Sequence, residues 1–512
     1  MCLPEADNKN YEINFLNTPY EYIGFDGYHA YNIHTVKKWL NNHNRYNREI
    51  RQLSNYLYNL NGVYTNVIDY MVSLPTLDRV VYGEDRKNPR YKKNKERFNS
   101  ALEKIREKSF VRDALFKSAL EGVYFYYFDV SVEQPYPRYL SDDDMDSIAE
   151  INSNKSDFNC HIIPLPTDYC KIIGTVNSSP QVAFDLSFFD KYMSKGLSKK
   201  LRRYPKEIRS AYSAYRKDSN KKWYVLDNDK TIANKVRAKM EDMWGRPVGL
   251  AAYIDILYDE YFTESKRSIL DDVNTTIIYQ TFPEGKDKGT SSLTRNQQKE
   301  QHNNIKQALF SRGVQKGINF FSVAAGTKID KLATSIDLLK VDDDDKLLRR
   351  ISSSLGFASS LISGEGGSYQ SQRGNLDLIT AQILVWLEGI ESELNKVINK
   401  NIIKDSEQYI KVYYLPITHA NKEKMIGYFK DLFTHAGGSR SLWIASTGIN
   451  PDVYFAVRDE EIERGLDEKY KPHDLSFTQT SKDKLSDSKK PKDNDPENEH
   501  TIKNKNTGSN PI

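Results

Sequence analysis

Gly249-Leu250-Ala251-Ala252-Tyr253-Ile254-Asp255-Ile256-Leu257-Tyr258-Asp259-Glu260-Tyr261-Phe262-Thr263-Glu264-Ser265-Lys266-Arg267-Ser268-Ile269-Leu270-Asp271-Asp272-Val273-Asn274 is the most regular stretch of the chain. Leu250, Tyr253, Ile254, Leu257, Tyr258, Tyr261, Phe262, Ser265, Ile269 and Val273 recur at three- and four-residue steps, with no Gly or Pro after Gly249. That spacing predicts one long amphipathic helix. Thr275 to Gln280 then reads as a strand ending at Pro283-Glu284-Gly285, a polar helix runs from about Leu293 to Phe310, and Ile318 to Val323 reads as a second strand. A β-α-β insert therefore separates the first helix from another, which begins near Asp342 and carries Leu347, Leu348, Ile351 and Leu355 up to Gly356. The loop rich in Ser and Gly from Ser359 to Ser368 comes next, followed by a helix from about Asn375 to Asn399 with Leu376, Ile379, Ile383, Trp386, Leu387, Ile390, Leu394, Val397 and Ile398 on one face.

Upstream, apolar positions from Ile33 to Met71 predict two or three amphipathic helices, and Arg97 to Leu120 repeats the pattern until Gly122 ends it. The period then changes to that of short strands: Val123 to Val130, His161 to Leu165, Cys170 to Gly174, Gln181 to Phe184 and, after a basic helical segment, Trp223 to Leu226. Downstream, Lys411 to Leu415 reads as a strand, and short helices between Asn421 and Leu466 are broken at Gly437-Gly438 and Ile449-Asn450-Pro451. From Lys471 nearly every residue is charged, Ser, Thr, Asn or Pro, a composition too polar to offset its ordering entropy. The expected class is α+β, mainly helical, with a disordered C-terminal tail.

With 512 residues, the chain should divide into several structural units. Its 74 Lys and Arg against 70 Asp and Glu exclude a histone-like polycation. Hydrophobic residues make up 38%, yet 34 Tyr and 21 Phe supply large amphipathic rings, which suit broad and partly wet interfaces. Cys2, Cys160 and Cys170 form neither a disulfide framework nor a zinc spacing, so a reducing compartment is expected. Neither a leader-like N-terminus nor an apolar run long enough to span a bilayer is legible.

Catalytic signatures were sought residue by residue. Gly285-Lys286-Asp287-Lys288-Gly289-Thr290 and Gly364-Glu365-Gly366-Gly367-Ser368 lack the spacing and the Lys of a phosphate loop. Asp342 to Asp345 offer hard oxygens to a divalent ion, but consecutive helical residues point in different directions. They suit the first turn of a helix, where the dipole favours anions by ~0.3–1 kcal/mol each. No cofactor, no metal and no catalytic residue is expected, so the chain does not read as an enzyme. Two basic runs, Arg86 to Lys108 and Lys195 to Lys222, interleave cations with Tyr91, Tyr204, Tyr212 and Tyr215, a composition able to neutralise phosphates or to form a solvated or subunit-contacting face.

The order of elements from Gly249 to Asn399 resembles the stem, clip, stem, tunnel loop and backbone helix of tailed-bacteriophage portal proteins, the head-to-tail connector. Ile351-Ser352-Ser353-Ser354-Leu355-Gly356-Phe357-Ala358-Ser359-Ser360-Leu361-Ile362 looks like that family's end-of-stem segment, and Trp386-Leu387-Glu388-Gly389-Ile390-Glu391-Ser392-Glu393-Leu394-Asn395 is similar to a turn of its long helix. The resemblance implies a wing over 1–248, stem helices over 249–274 and 339–357, a clip over 275–338 and a tunnel loop over 358–374. A long helix and wing strand over 375–418, a crown-like part over 419–470 and the tail over 471–512 complete it.

It further implies a ring of about twelve copies at one capsid vertex of a virion assembled in the bacterial cytoplasm. Double-stranded DNA would pass non-specifically through the ring during genome packaging and ejection. Terminase, major capsid and scaffolding proteins and a head-completion or tail adaptor protein would be partners, with no membrane. Ser359, Ser360, Ser363, Gly364, Gly366, Gly367, Ser368, Gln370 and Arg373 would face DNA, and Arg295, Lys299, Lys306 and Arg312 would serve clip docking. The alternatives are another virion component, an adaptor or baseplate protein, and a metal-dependent nucleic-acid enzyme using Asp342 to Asp345.

Overall fold

The computed structural model describes residues 31–83, 87–130, 158–192, 194–274, 278–286, 291–310, 328–331, 341–363, 368–405 and 407–470. The polar tail and the strand expected at Ile318 to Val323 lie outside them. The fold is α+β and mainly helical. Three helices open it, α1 (Ile33–Asn41), α2 (Asn47–Leu60) and α3 (Gly62–Ser73), followed by β1 (Arg79–Gly83). Asn32 and Asn61 cap α1 and α3 by accepting from the amides of His34 and Tyr64.

The Arg97 to Leu120 pattern divides into α4 (Tyr91–Lys104) and α5 (Glu107–Glu121), because Arg106 turns left-handed at φ 47°. That break starts α5 at buried Glu107, whose carboxylate accepts from the Tyr414 hydroxyl at 2.7 Å and pairs with Arg79 at 3.1 Å. Gly122 closes α5 at φ 77°, where a Cβ would lie 2.6 Å from the Arg246 backbone.

The strands that follow form two three-stranded antiparallel sheets. In the first, β2 (Val123–Asp129) lies between β3 (His161–Pro164) and β7 (Thr231–Lys235); in the second, β5 (Ser179–Asp185) lies between β4 (Cys170–Val176) and β6 (Trp223–Val225). Helices α6 (Ser194–Arg202) and α7 (Lys206–Lys217) cross between β5 and β6. β2 is buried along its whole length and separates two cores. Tyr124, Tyr126 and Phe128 enter the large helical core, while Val123, Phe125 and Tyr127 enter the smaller core under the second sheet. The period of two does this, and it explains why β2 reads as a continuous apolar run instead of an alternating one.

Next come α8 (Tyr253–Asn274), β8 (Ile278–Thr281), α9 (Arg295–Phe310), β9 (Lys328–Lys331), α10 (Val341–Leu355), α11 (Ser359–Ser363), α12 (Tyr369–Ile398) and β10 (Ile410–Tyr414). β8 pairs antiparallel with β9, and β1 with β10. α12 begins at Tyr369 rather than near Asn375, since Ser368 accepts from the Ser371 amide and caps it. The short strands β1 and β7 were not legible in the sequence.

α12 seals the open edges of two sheets. Asn395 donates to the Val412 carbonyl (3.1 Å) and accepts from its amide (2.8 Å), and Asn399 does the same at Ile410 (2.6 and 3.0 Å). Glu391 accepts from the Tyr414 amide at 2.9 Å. On the β7 side, Glu393 accepts from the Ala233 amide at 3.2 Å and pairs with Lys396 at 2.8 Å. Gly389 permits the approach, for a Cβ there would stand 2.2 Å from the Asn234 side chain.

A second compact unit begins at Tyr428 within α13 (Lys422–Ala436) and contains α14 (Arg440–Ser446), α15 (Pro451–Glu463) and α16 (Leu466–Lys469). Phe433 stacks on Trp443 with ring centroids 5.2 Å apart, Ser439 and Asn450 cap α14 and α15, and Arg458 grips Asp467 through two nitrogens at 2.8 and 2.5 Å.

Replacing Asn395 with Ala strands a buried amide and a buried carbonyl of Val412, each worth ~1–3 kcal/mol. Urea unfolding of Asn395→Ala is expected to show a loss of about 2–4 kcal/mol, and exposed Ser392→Ala a change within about 0.5 kcal/mol.

Candidate nucleic-acid interface

α8 and α10 run antiparallel and rise out of the large core. Their lower ends contribute buried Tyr253, Ile256 and Leu257 from one and Ile351 and Leu355 from the other, while Glu264 and Arg267 on α8 and Asp344 and Asp345 on α10 are exposed. Two crossed contacts hold the pair. Lys266 Nζ reaches both Asp344 oxygens at 2.7 Å, and Arg350 Nε reaches buried Asp255 at 2.9 Å, with Ser354 donating to the same carboxylate at 3.2 Å. Asp344 is thereby engaged as an ion-pair partner. Burial raises the Asp259 carboxyl above its usual range, a shift opposed by the Asn61 amide at 3.1 Å and augmented by Asp344. Among the described residues no group of three His, Cys, Asp or Glu side chains is arranged to hold a metal ion. Cys160 and Cys170 are buried, and burial pushes the Cys170 thiol far up, which disfavours its thiolate.

The turn after α10 is fixed by the backbone. Gly356 is left-handed at φ 82°, the Phe357 amide donates to the Ser352 carbonyl at 2.9 Å, and the Gly356 amide donates to Ser353 at 3.0 Å. This is a Schellman closure, with Phe357 as the buried residue beyond the cap. Asn375 of α12 then brackets the turn: its amide donates to the Gly356 carbonyl, and its oxygen accepts from the Ala358 amide, both at 2.9 Å. Sequence reasoning singled out Gly356 and missed Asn375, as it missed Glu391, Asn395 and Asn399. The signal was present for the last three, polar residues at four-residue spacing beside the apolar stripe of a helix.

The residues expected to face DNA are distributed across this turn and the start of α12. Ser359, Ser360 and Ser363 belong to the short helix α11, which corrects the expectation of irregular loop there: Phe357 is buried and Asn375 holds the Ala358 amide, so the chain turns back into helix at once. Gly364, Gly366 and Gly367 lie outside the described residues. Ser368 caps α12, and Gln370 and Arg373 stand exposed at its start. In the insert, Thr294 precedes α9 and donates both its backbone amide and its hydroxyl to the Gln297 side-chain oxygen at 3.0 Å, the Gln half of a capping box. Arg295 and Lys299 are exposed on α9, Lys306 lies in the same helix, and Arg312 is outside the described residues. The Pro283 carbonyl accepts from the Ser292 amide at 3.0 Å and closes the link between β8 and α9.

The two basic runs differ once folded. In the first, Lys104 stands 3.7 Å from the Phe158 ring centroid and Arg97 lies over the same ring, while Arg90 approaches Asp405 at 4.0 Å. In the second, Tyr204 and Tyr212 are core residues, and the Tyr212 and Tyr215 hydroxyls both donate to Asp190. Tyr204 and Tyr212, interleaved with cations in the sequence, are therefore core residues of this region. Glu207 stays exposed on α7 and pairs with Lys230 and the Tyr127 hydroxyl, which together hold its carboxyl below the usual range against the cost of partial burial.

No protein-family profile matches the chain. It is 23% identical over 498 residues to the SPbeta prophage-derived uncharacterized protein YonE of Bacillus subtilis strain 168, covering 93% of this chain and 90% of that protein. A chain from the neck of a native gene transfer agent particle, computed with twelve-fold symmetry, shares 12% identity at a TM-score of 0.46, over 80% of this chain and 94% of its own. An HK97-family phage portal protein from Corynebacterium diphtheriae shares 9% identity at a TM-score of 0.32, over 70% of this chain and 93% of its own. Among the described residues no helix is long and apolar enough to cross a membrane.

Asn375→Ala removes both bonds of the bracket and is expected to cost about 1–2 kcal/mol. Asn375→Asp keeps the acceptor for Ala358 and should fall between, as read by the urea midpoint.

Proposed function

We propose that this chain is a phage portal protein, a ring-forming conduit for double-stranded DNA in the virion with no catalytic activity of its own. The observation that supports this best is the order and geometry of α8, the β8-α9-β9 insert, α10 and α12. Two antiparallel helices rise from a core, carry a small β-α-β element between their far ends, and return through a tight turn into a long helix that ties two sheet edges. The relative's prophage origin accords with the reading. The outer edges of β8 and β9 offer backbone groups for pairing with a neighbouring copy or a docked protein such as terminase or a tail adaptor. Exposed Arg295 and Lys299 would border that site. Ser359 to Arg373 would line the passage, supplying hydroxyls and few fixed charges, because a strongly basic lining would bind phosphate tightly and stall translocation.

Negative-stain microscopy of the purified full-length protein is expected to show rings with an axial opening and about twelve copies. A monomer that cuts DNA would overturn the proposal in favour of the enzyme. Replacing Gly364, Gly366 and Gly367 with Pro should reduce packaged genome per particle while rings still form, and undiminished packaging would remove this segment from the passage.

A further inference from the structure

We propose that the outer face of α7 is a second, sequence-independent site for the phosphate backbone of double-stranded nucleic acid, separate from the conduit. The helix has a divided circumference. Ile208 and Tyr212 point into the smaller core. At 100° per residue, Lys206, Arg209, Ser210, Ser213, Arg216 and Lys217 fall within about a third of the circumference, centred about 120° round the helix from Ile208 and Tyr212 and spread along about 16 Å of axis. Lys206, Ser210, Ser213, Arg216 and Lys217 are exposed and Arg209 is half-buried. The nearest acid on the helix, Glu207, is exposed about 60° beyond Ser210, outside the stripe, and its carboxylate is paired with Lys230 and the Tyr127 hydroxyl. Arg216 approaches Asp190 at 3.9 Å, but the Asp190 oxygens already accept from Tyr212 and Tyr215. The stripe thus presents cations and hydroxyls with no carboxylate among them.

Its composition selects the partner. A protein partner would find no apolar or aromatic anchor on this face, the feature that carries most binding energy at protein interfaces. A single strand would find no fully exposed ring on α7 itself on which to stack a base, because Tyr212 is buried and Tyr215 is half-buried against the same core with its hydroxyl on Asp190. Duplex phosphates require what the stripe has: cations and hydroxyl donors in a row, without base contacts. The basic run on α4 fits less well, since Arg97 and Lys104 are gathered around Phe158.

The test is binding of a labelled duplex of ~20 base pairs to the full-length protein, by anisotropy, between about 50 and about 200 mM salt. Lys206→Gln with Lys217→Gln should lower the slope of log affinity against log salt by about 2, near 0.9 per lost contact, and adding Arg216→Gln should bring the loss near 3. Lys92→Gln with Lys93→Gln, at exposed positions of α4, should lower it by less than half as much. An unchanged slope in the α7 variant, equal losses in both variants, or tighter binding of a single strand or of a poly-glutamate peptide would each overturn the assignment. Microscopy of the same preparations separates this from the conduit proposal: rings with an unchanged slope sink only the α7 site, and slope loss without rings in the parent protein sinks only the conduit.

Discussion

The fold depends on one constraint: two short sheets end in open edges inside the body of the protein, and a helix must satisfy them. A buried strand edge presents amides and carbonyls that water cannot reach, each costly if left unpaired. α12 meets the need with side chains. Four helical residues advance about 6 Å and two strand residues about 6.7 Å, so Glu391, Asn395 and Asn399 stay nearly in step with Tyr414, Val412 and Ile410 running the other way. Asparagine suits this role because its amide offers a donor and an acceptor at one end, as a strand backbone does. Glu391 supplies only an acceptor, and burial raises its carboxyl above the usual range.

That constraint explains what was legible beforehand. The apolar stripes of α8, α10 and α12 and the aromatic run of β2 are read from the sequence, and those elements appear there, with α12 starting six residues earlier than its stripe. β1 and β7 escaped because their pairing is decided by distant partners: β1 exists because β10 lies beside it, and β7 because β2 and Glu393 flank it. The local residues of β7, Thr231-Ile232-Ala233-Asn234-Lys235, carry little strand signal of their own. The split between α4 and α5 was hidden for a similar reason. Nothing near Arg106 announces a left-handed residue; the break is set by Glu107, which must meet Arg79 and Tyr414 from across the body. At the candidate site, Gly356 was readable as a helix stop, but the Asn375 bracket was not, since it joins residues on separate elements.

β2 also organises function by keeping two cores apart. Its odd-numbered residues support the sheet over which α6 and α7 lie, and its even-numbered residues face the core from which α8 and α10 rise. Tyr127 and Tyr126 show the two sides: the first donates its hydroxyl toward Glu207 of α7, the second to Asp113 of α5 at 2.6 Å. Among the described residues, aromatic rings fill both cores and meet edge-on there, as Phe189 does with Tyr204 and Tyr212.

The near-zero balance of 74 basic and 70 acidic residues conceals two different treatments of charge. On the helix pair α8 and α10, cations are matched at once: Lys266 with Asp344, Arg350 with Asp255. A phosphate passing there would compete with carboxylates already in place, so each potential contact yields less than a free cation would. On α7 the local acid Glu207 is paired with Lys230 outside the stripe, Arg216 alone in the stripe approaches a carboxylate, Asp190 at 3.9 Å, and Lys206 and Lys217 stand exposed beside serines. The first arrangement suits a surface along which a polyanion must move, and the second suits one where it is held. Because salt screens exposed charges within about 8–10 Å, the two surfaces act independently of the protein's net charge. Charge placement, rather than total charge, is therefore the property by which this fold would handle DNA.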